Sequence, residues 1–576
     1  MSKILSFLKP YRWQMVLMIV LLFTHTLGTL YVPTLTADIV NNGIVKGDLA
    51  YVWRTGGFML MVSVLSSLIA VLSTYTSTYI STGMGRDIRR ALFRKTQEFS
   101  ANDFGKFGAA SLITRSTNDV TQVQTAFSIV VEMLLPAPFM TVAGLVLAFS
   151  KNRALALMLL GAMALILVAM ALVAKKIIPI FENLQALLDK INRTVRESII
   201  GVRVIRAFNR AEHEKARTDA AFSDYASLAI KANKIFAVLM PLIMLAMNLL
   251  SLLFIWFGGR QVAAGQMEIG DIMAMIEYAM LTLMYLIMGV ATFLFIPRAL
   301  TCAKRISEVL SVEPELTQNK SENNAAQSSK MKAVFDHVTF RYAGAEEPVL
   351  YDLSFTVESG KTTAIIGSTG SGKSTIANLM MRFYDVEGGK ILIDGRDIRS
   401  YPLKALRDKI GYVPQKAFLF SGTIADNLRH GKPDATEEEM RHAAETAQIS
   451  DFIESKEEGL AYPVSQGGSN FSGGQKQRLS IARALIKKPD IYLFDDSFSA
   501  LDFKTDAKLR AALKNEVKNS AVVIVAQRIS TILDAEQILV LDEGRIVGKG
   551  THKELMAHCA VYQQIAKSQL SEEELA

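Results

Sequence analysis

The alternation of apolar and polar positions changes character near residue 300. Before it, apolar runs at about 13–34, 56–82, 125–150, 153–174, 235–259 and 272–297 each reach the ~20 residues needed to cross a hydrocarbon core. After it, from Lys332 onward, short β-rich runs alternate with helical segments, as in an α/β domain. Between the two lies "LTQNKSENNAAQSSK" (316–330), polar and free of aromatics, the composition of a flexible linker. The pattern predicts a six-span helical membrane domain over 1–310, a linker over 311–331 and an α/β domain over 332–576.

Two of the segments between spans are long, Gly83 to Gln124 and Lys175 to Lys234. Both keep helical periodicity for several turns. They predict transmembrane helices that continue beyond the bilayer, with breaks near Ser100–Phe104 and Asn209–Glu214 where each arm turns back. Solvated helices with no partner are the alternative, and the soluble domain that follows supplies a partner.

Charge then sets orientation. The first long segment carries Arg86, Arg89, Arg90, Arg94, Lys95, Lys106 and Arg115, and the second is richer still. Basic residues concentrate in cytoplasmic loops, so both termini and both long segments are expected in the cytoplasm. The formal net charge of +8 therefore belongs to topology, and nucleic acid is not expected as a partner. A signal peptide is disfavoured because no small-residue cleavage site closely follows the first run. The two cysteines, Cys302 and Cys559, offer neither a disulfide framework nor metal-ligand spacing.

The chemistry lies in the second half. "TTAIIGSTGSGKSTIANLMMRFY" runs strand, glycine-rich loop, helix, and holds Gly367, Ser368, Thr369, Gly370, Ser371, Gly372, Lys373 and Ser374 as G-x-x-x-x-G-K-S. Such a loop turns backbone N–H groups and a helix N-terminus onto phosphate oxygens. Lys373 reaches the β- and γ-phosphates, and Ser374 can ligate Mg²⁺. Upstream, Tyr342 either stacks on a purine or is an ordinary strand-surface tyrosine, and spacing alone does not separate the two. Gln415, after a short β run in "GYVPQKAFLF", could complete a Mg²⁺ shell, although glutamine is common in loops. "NFSGGQKQRLSIARAL" places Ser472, Gly473, Gly474 and Gln475 at a second anion-binding helix start. A second such start in one domain makes sense if it closes over a nucleotide held by another copy. "IYLFDDSFSALD" ends a buried-type run in Asp495 and Asp496 and closes on Asp502, and "AVVIVAQRIS" runs to Gln527.

In this order the phosphate loop, glutamine loop, "FSGGQ", "LFDD", "SALD" and the switch position at Gln527 resemble an ATP-binding cassette domain. With six spans and two long cytoplasmic segments, one containing "GVRVIRAFNRAE", the whole chain resembles an ABC exporter half-transporter of the multidrug type. The resemblance implies ATP and Mg²⁺ as cofactors. It implies that Tyr342 stacks on adenine, that the loop Gly367–Ser374 with Thr375 and Gln415 binds ATP, and that Ser374, Gln415 and Asp495 hold Mg²⁺. It further implies that Ser472–Gln475 acts in trans on a partner's ATP, beside the D-loop residue Asp502, and that the two loop turns are coupling helices.

Two positions depart from the family pattern. Asp496 stands where a Glu usually serves as general base, and Gln527 where a His usually senses the γ-phosphate. Glutamine hydrogen-bonds phosphate but carries no proton at neutral pH. A displaced base is costly, since ~1 Å of misplacement can lose ~100-fold in rate. The expectation is a subunit of a heterodimeric bacterial exporter in the cell membrane. Its own site holds MgATP and turns over slowly, while its signature completes the competent site of a paralogous half-transporter. That partner carries the usual Glu and His and a divergent signature.

Amphipathic drugs or dyes are the expected cargo. The sixth span holds Met273, Met275, Met280, Met284 and Met288, which either contact varied apolar ligands or simply pack against neighbouring spans. Glu132 and Glu277 fall inside spans, where a carboxylate is costly and a candidate for the substrate path; either could instead sit near an interface. A lipid or peptide exporter, or an ATP-gated regulatory module that does not pump, are the alternatives.

Overall fold

The structure, a computed structural model, describes residues 2–293, 295–316 and 330–569. Most of the expected linker, 317–329, lies outside the described residues. Contacts divide the chain into two compact units: Met1–Gln97 with Ala109–Val312, and Glu98–Gly108 with Glu313–Ala576.

Among the described residues the first unit contains six helices long and apolar enough to cross a membrane: Lys3–Ile44, Leu49–Gln97, Ala109–Lys151, Arg153–Ile200, Ala211–Ala263 and Ile269–Ser311. At ~1.5 Å per residue, the 53 residues of the fifth extend roughly 80 Å, far beyond a ~30 Å hydrocarbon core. Small residues let these helices meet. A Cβ on Gly144 would collide with Thr282 Oγ1, and one on Gly289 with Ala137, so the third and sixth helices pack antiparallel at near-contact. This register puts Glu132 and Glu277 at opposite ends of the pair, separated by about 17 residues or roughly 25 Å. The two acids therefore do not form one site.

The elbows are built differently. After Gln97 the helix Ala101–Phe107 starts on a capping box, Ser100 with Asp103, and ends at Gly108 in the left-handed region. The second break was expected near Asn209–Glu214, but the chain turns over Gly201–Arg210, with a short helix Val202–Ala207 and Asn209 at φ +52°. Residues 211–214 already belong to the next long helix. Its polar start misleads because Glu212 and Glu214 favour a helix N-terminus, and Arg217 pairs with Glu197 and Glu214 at 2.5 and 3.4 Å.

Among the described residues the second unit carries twelve strands: β1 (Met331–Phe340), β2 (Leu350–Glu358), β3 (Thr362–Gly367), β4 (Gly388–Ile393), β5 (Arg396–Asp397), β6 (Ile410–Val413), β7 (Gly422–Thr423), β8 (Pro463–Val464), β9 (Ile491–Asp495), β10 (Ala521–Val525), β11 (Gln537–Asp542) and β12 (Arg545–Gly550). The central sheet has the order β12-β11-β3-β10-β9-β6. Its strands are parallel from β11 to β6, with β12 antiparallel at the edge as the second half of a hairpin. An antiparallel sheet β2-β1-β4-β5 stands beside it.

Every residue of β9 and β10 is buried, which is why both read as apolar runs, β9 as far as its last residue, Asp495. Alternate side chains enter two different cores. Tyr492, Phe494, Val522 and Ile524 join one that contains Leu479, Ile481 and Leu485 from the helix Gly473–Leu485. Leu493, Val523 and Val525 join the other, with Ile376, Ala377 and Leu379 from the helix Lys373–Met380. The two helices thus cover opposite faces of the sheet.

Candidate functional site

The site forms at the carboxyl ends of the parallel strands, the usual location for ligands in open α/β sheets. β3 ends at Gly367, and the loop turns into the helix Lys373–Met380 through Gly370 at φ +87° and Gly372 at φ +94°. L side chains rarely adopt this backbone. A Cβ on Gly372 would also lie 2.5 Å from Leu350 Cδ2. Lys373 Nζ donates to the carbonyls of Gly367 and Ser368 at 2.9 and 2.6 Å. Ser371 Oγ is buried without a hydrogen-bond partner, a polar atom turned into the loop that suits a phosphate oxygen.

The strand order brings the remaining groups together. β9 lies between β6 and β10, with Phe494 opposite Val413 and Asp495 opposite Val525. Two residues past each neighbouring strand stand Gln415 and Gln527, flanking the end of β9. Gln415 Nε2 donates to Asp496 Oδ2 at 3.2 Å and Gln527 Nε2 to the same oxygen at 2.8 Å. Asp495 Oδ1 accepts from Ser374 Oγ at 2.9 Å. Asp496 itself sits at φ +47°, a left-handed conformation that aspartate tolerates better than most side chains. Its N–H donates to Val525 O at 2.9 Å.

Electrostatics follow from burial. Asp495 and Asp496 are 4% and 8% exposed. Burial raises both carboxyls above the ordinary aspartate value; for Asp495 the Ser374 bond opposes this and the charge of Asp496 adds to it, while for Asp496 the bonds from Gln415 and Ser499 oppose it. Burial likewise pulls Lys373 below the usual lysine value, with Asp496 and Asp495 opposing. The site is short of positive charge for its own acids and gains from an added cation.

Tyr342 reaches the same region. Its hydroxyl shares a hydrogen bond with Thr375 Oγ1 at 3.0 Å, and its ring meets Tyr384 edge-on at 5.3 Å. Ser472 is an exposed N-cap whose Oγ accepts from Gln475 N, with Gln475 returning a bond to the Ser472 N–H at 2.9 Å. A Cβ on Gly473 would meet nothing within 4 Å, and one on Gly474 would lie 3.4 Å from the Ala500 carbonyl oxygen. Asp502 caps the helix Phe503–Glu516 by accepting from Thr505 N at 2.9 Å. Loop residues, Tyr342, Gln415, Asp495, Asp496 and Gln527 are thus assembled. Ser472–Gln475 starts a helix on the other face of the sheet.

Sequence reasoning passed over Ser497 and Ser499. Ser497 Oγ donates to Val413 O at 3.1 Å and Ser499 Oγ to Asp496 O at 3.0 Å, so both hold the turn that aims Asp496. Hydroxyls two and four residues past a strand end were the available signal. In the sixth span, Met273, Met280 and Met284 are exposed on one face with half-buried Glu277 between them, whereas Met275 is fully buried. Glu132 is exposed.

Residues 15–286 match the family described as "ABC transporter transmembrane region", and residues 350–499 match "ABC transporter". The chain is 42% identical to an uncharacterised ABC transporter ATP-binding protein of Mycobacterium tuberculosis over 98% of its own length and 97% of that protein's. It is 38% identical to the uncharacterised YfiB of Bacillus subtilis, covering 100% and 99%, and 29% identical to an ATP-dependent lipid A-core flippase of Vibrio vulnificus, covering 99% and 98%. A solved bacterial Atm1-family ABC exporter with ATP bound superposes with a TM-score of 0.78 at 26% identity, covering 97% of this chain and 99% of that one. Six apolar helices, a phosphate loop facing paired carboxylates, and end-to-end likeness to such proteins lead to one conclusion: the chain belongs to the ABC transporter family, as a multi-pass membrane half-transporter of the exporter type whose ATPase domain drives transport.

Proposed function

We propose that this chain is the ATP-holding half of a heterodimeric exporter for amphipathic compounds, working in a bacterial cell membrane with both termini cytoplasmic. Residues 1–310 form the membrane domain, 311–331 the linker and 332–576 the nucleotide domain. The observation that carries the asymmetry is the Gln415–Asp496–Gln527 arrangement. The carboxylate at the base position is one methylene short, and one of its oxygens already accepts two amide bonds. The two bonds hold the shortened side chain between the glutamines, so its carboxylate stays back from where a longer one would reach. The neighbouring switch residue has no titrating group. A positioned base contributes ~10²–10⁴ in rate, most of which this arrangement forgoes.

ATP binding is well provided for. Gly370, Gly372, Ser371 and Lys373 cradle the phosphates, Tyr342 takes the adenine, and Thr375 holds the Tyr342 hydroxyl. Ser374, Asp495 and Gln415 would hold Mg²⁺, which when bound neutralises phosphate charge. The two buried acids, both raised by burial and Asp495 further by the charge of Asp496, support this reading, because an added cation relieves them. Ser472–Gln475 lies on the face of the sheet opposite the phosphate-loop helix, which favours its action on a partner's nucleotide, with Asp502 setting the adjoining loop. The partner is a paralogue with Glu and His at the two departed positions.

Glu277 within its methionine-lined face supports recognition of lipophilic cations such as dyes. A lipid cargo is the second reading, favoured by the likeness to a lipid A-core flippase. Inverted vesicles containing this chain and a paralogous partner should accumulate a cationic dye with ATP, less so with Glu277→Gln. Transfer of a fluorescent lipid instead, unaffected by Glu277→Gln, would favour the second reading. Rapid multiple-turnover ATPase by the purified chain alone would refute the asymmetric one.

A further inference from the structure

Gln527 stands two residues beyond β10 in a loop that is exposed at Gln527 and Arg528. An exposed loop positions a side chain only if something holds its backbone. The holding group comes from far along the chain. Gln569, the last residue of the helix Ala560–Gln569, donates through Nε2 to the Gln527 carbonyl at 2.8 Å. The same amide accepts at Oε1 from the Ile529 N–H at 2.9 Å. The two bonds bracket Arg528 as a neighbouring strand would, and the donor and acceptor ends of the amide fit in this orientation alone.

The helix that presents Gln569 is itself anchored. Tyr562 and Ala566 are fully buried in the core that also contains Ile529. The Tyr562 hydroxyl shares a 2.7 Å hydrogen bond with His552 Nδ1. Gln569 thus connects a fixed helix to the backbone of the residue whose side chain meets Asp496 at 2.8 Å.

We propose that Gln569 is a positioning residue for the nucleotide site: its amide clamps the loop after β10 and so aims Gln527 at Asp496 and the nucleotide. The proposal rests on the reading of Gln527 as the switch residue. Without the clamp the loop samples other conformations, ATP still binds the phosphate loop, and the slow hydrolysis that remains becomes slower.

The test is single-turnover hydrolysis of ATP held by the full-length chain in vesicles, with equilibrium ATP binding measured in parallel. Gln569→Ala should slow hydrolysis about tenfold, equivalent to about 1.4 kcal/mol and to the net worth of one to two hydrogen bonds, with ATP affinity unchanged. Gln569→Glu keeps the length and the acceptor but loses the donor, and should slow it in the same direction. On a Gln527→Ala background, itself slow, either change should have an effect below about twofold, because coupled residues are not additive. An undiminished effect on that background, or a loss of ATP affinity, would overturn the clamp. Gln527→Ala slow but Gln569→Ala normal would overturn the clamp alone. An inert Gln527→Ala would remove the switch reading and the clamp with it.

Discussion

Lengthening the carboxylate at position 496 separates reach from proton handling. Asp496→Glu adds one methylene and roughly 1.5 Å of reach. If ~1 Å of misplacement costs ~100-fold, recovering it is worth up to about 2.7 kcal/mol in the barrier. The structure sets two costs against that gain. The longer side chain carries its oxygen away from amides now at 3.2 and 2.8 Å, and losing one such bond costs about 1 kcal/mol. The backbone at φ +47° suits aspartate better than glutamate, and strain of this kind is on the order of 1 kcal/mol. The balance left is under about 1 kcal/mol, a three- to fivefold rise. Phosphate release by the full-length chain in vesicles, at saturating MgATP, measures it. Asp496→Glu with Gln527→His, which also restores a titrating ring, should rise by ~10²–10⁴. If Asp496→Glu alone equals the double variant, the argument from Gln527 is wrong.

Gly372→Ala, at φ +94° with its Cβ 2.5 Å from Leu350 Cδ2, should lower thermal stability, by about 1–3 kcal/mol for the backbone alone, and abolish ATP retention in a filter assay. Ser472→Ala removes a capping box worth ~1 kcal/mol and should suppress ATPase of the heterodimer while this chain still retains ATP. Tyr342→Phe loses only the bond to Thr375 and should bind ATP nearly normally, whereas Tyr342→Ala should lose about tenfold or more in affinity if base stacking is worth ~1–3 kcal/mol. Burial holds Lys373 below the ordinary value of 10.5, and phosphate charge favours its protonated form, so ATP binding should take up a proton between that lowered value and 10.5. Affinity should fall as pH rises through this window, and calorimetry in buffers of different ionisation enthalpy should detect the uptake in wild type but not in Lys373→Met.

Much of this protein is legible along the chain because local physics dictates it. Twenty apolar residues in succession leave a helix no solvent but lipid, and the six spans follow. Glycines at 370 and 372 mark a backbone that only they adopt readily, and the apolar run of β9 announces a strand covered on both sides. Beside these, some local signals mislead: the charged start of the helix Ala211–Ala263 reads as a loop, although helix-end electrostatics favour it.

What only the tertiary structure decided is which distant residues meet. Gln415, Asp496 and Gln527 share one carboxylate oxygen because β9 is threaded between β6 and β10, an order that no spacing in the sequence encodes. The alternation of β-strand side chains sends the phosphate-loop and signature helices to opposite faces. Close packing of Gly144 and Gly289 on the sixth span separates Glu132 from Glu277, where composition alone allowed them to act together. Gln569 gives no signal of its own, being a polar residue near the end of an amphipathic helix. Its amide gains meaning from the Gln527 carbonyl and the Ile529 N–H that folding brings to it, forty-two and forty residues earlier in the chain.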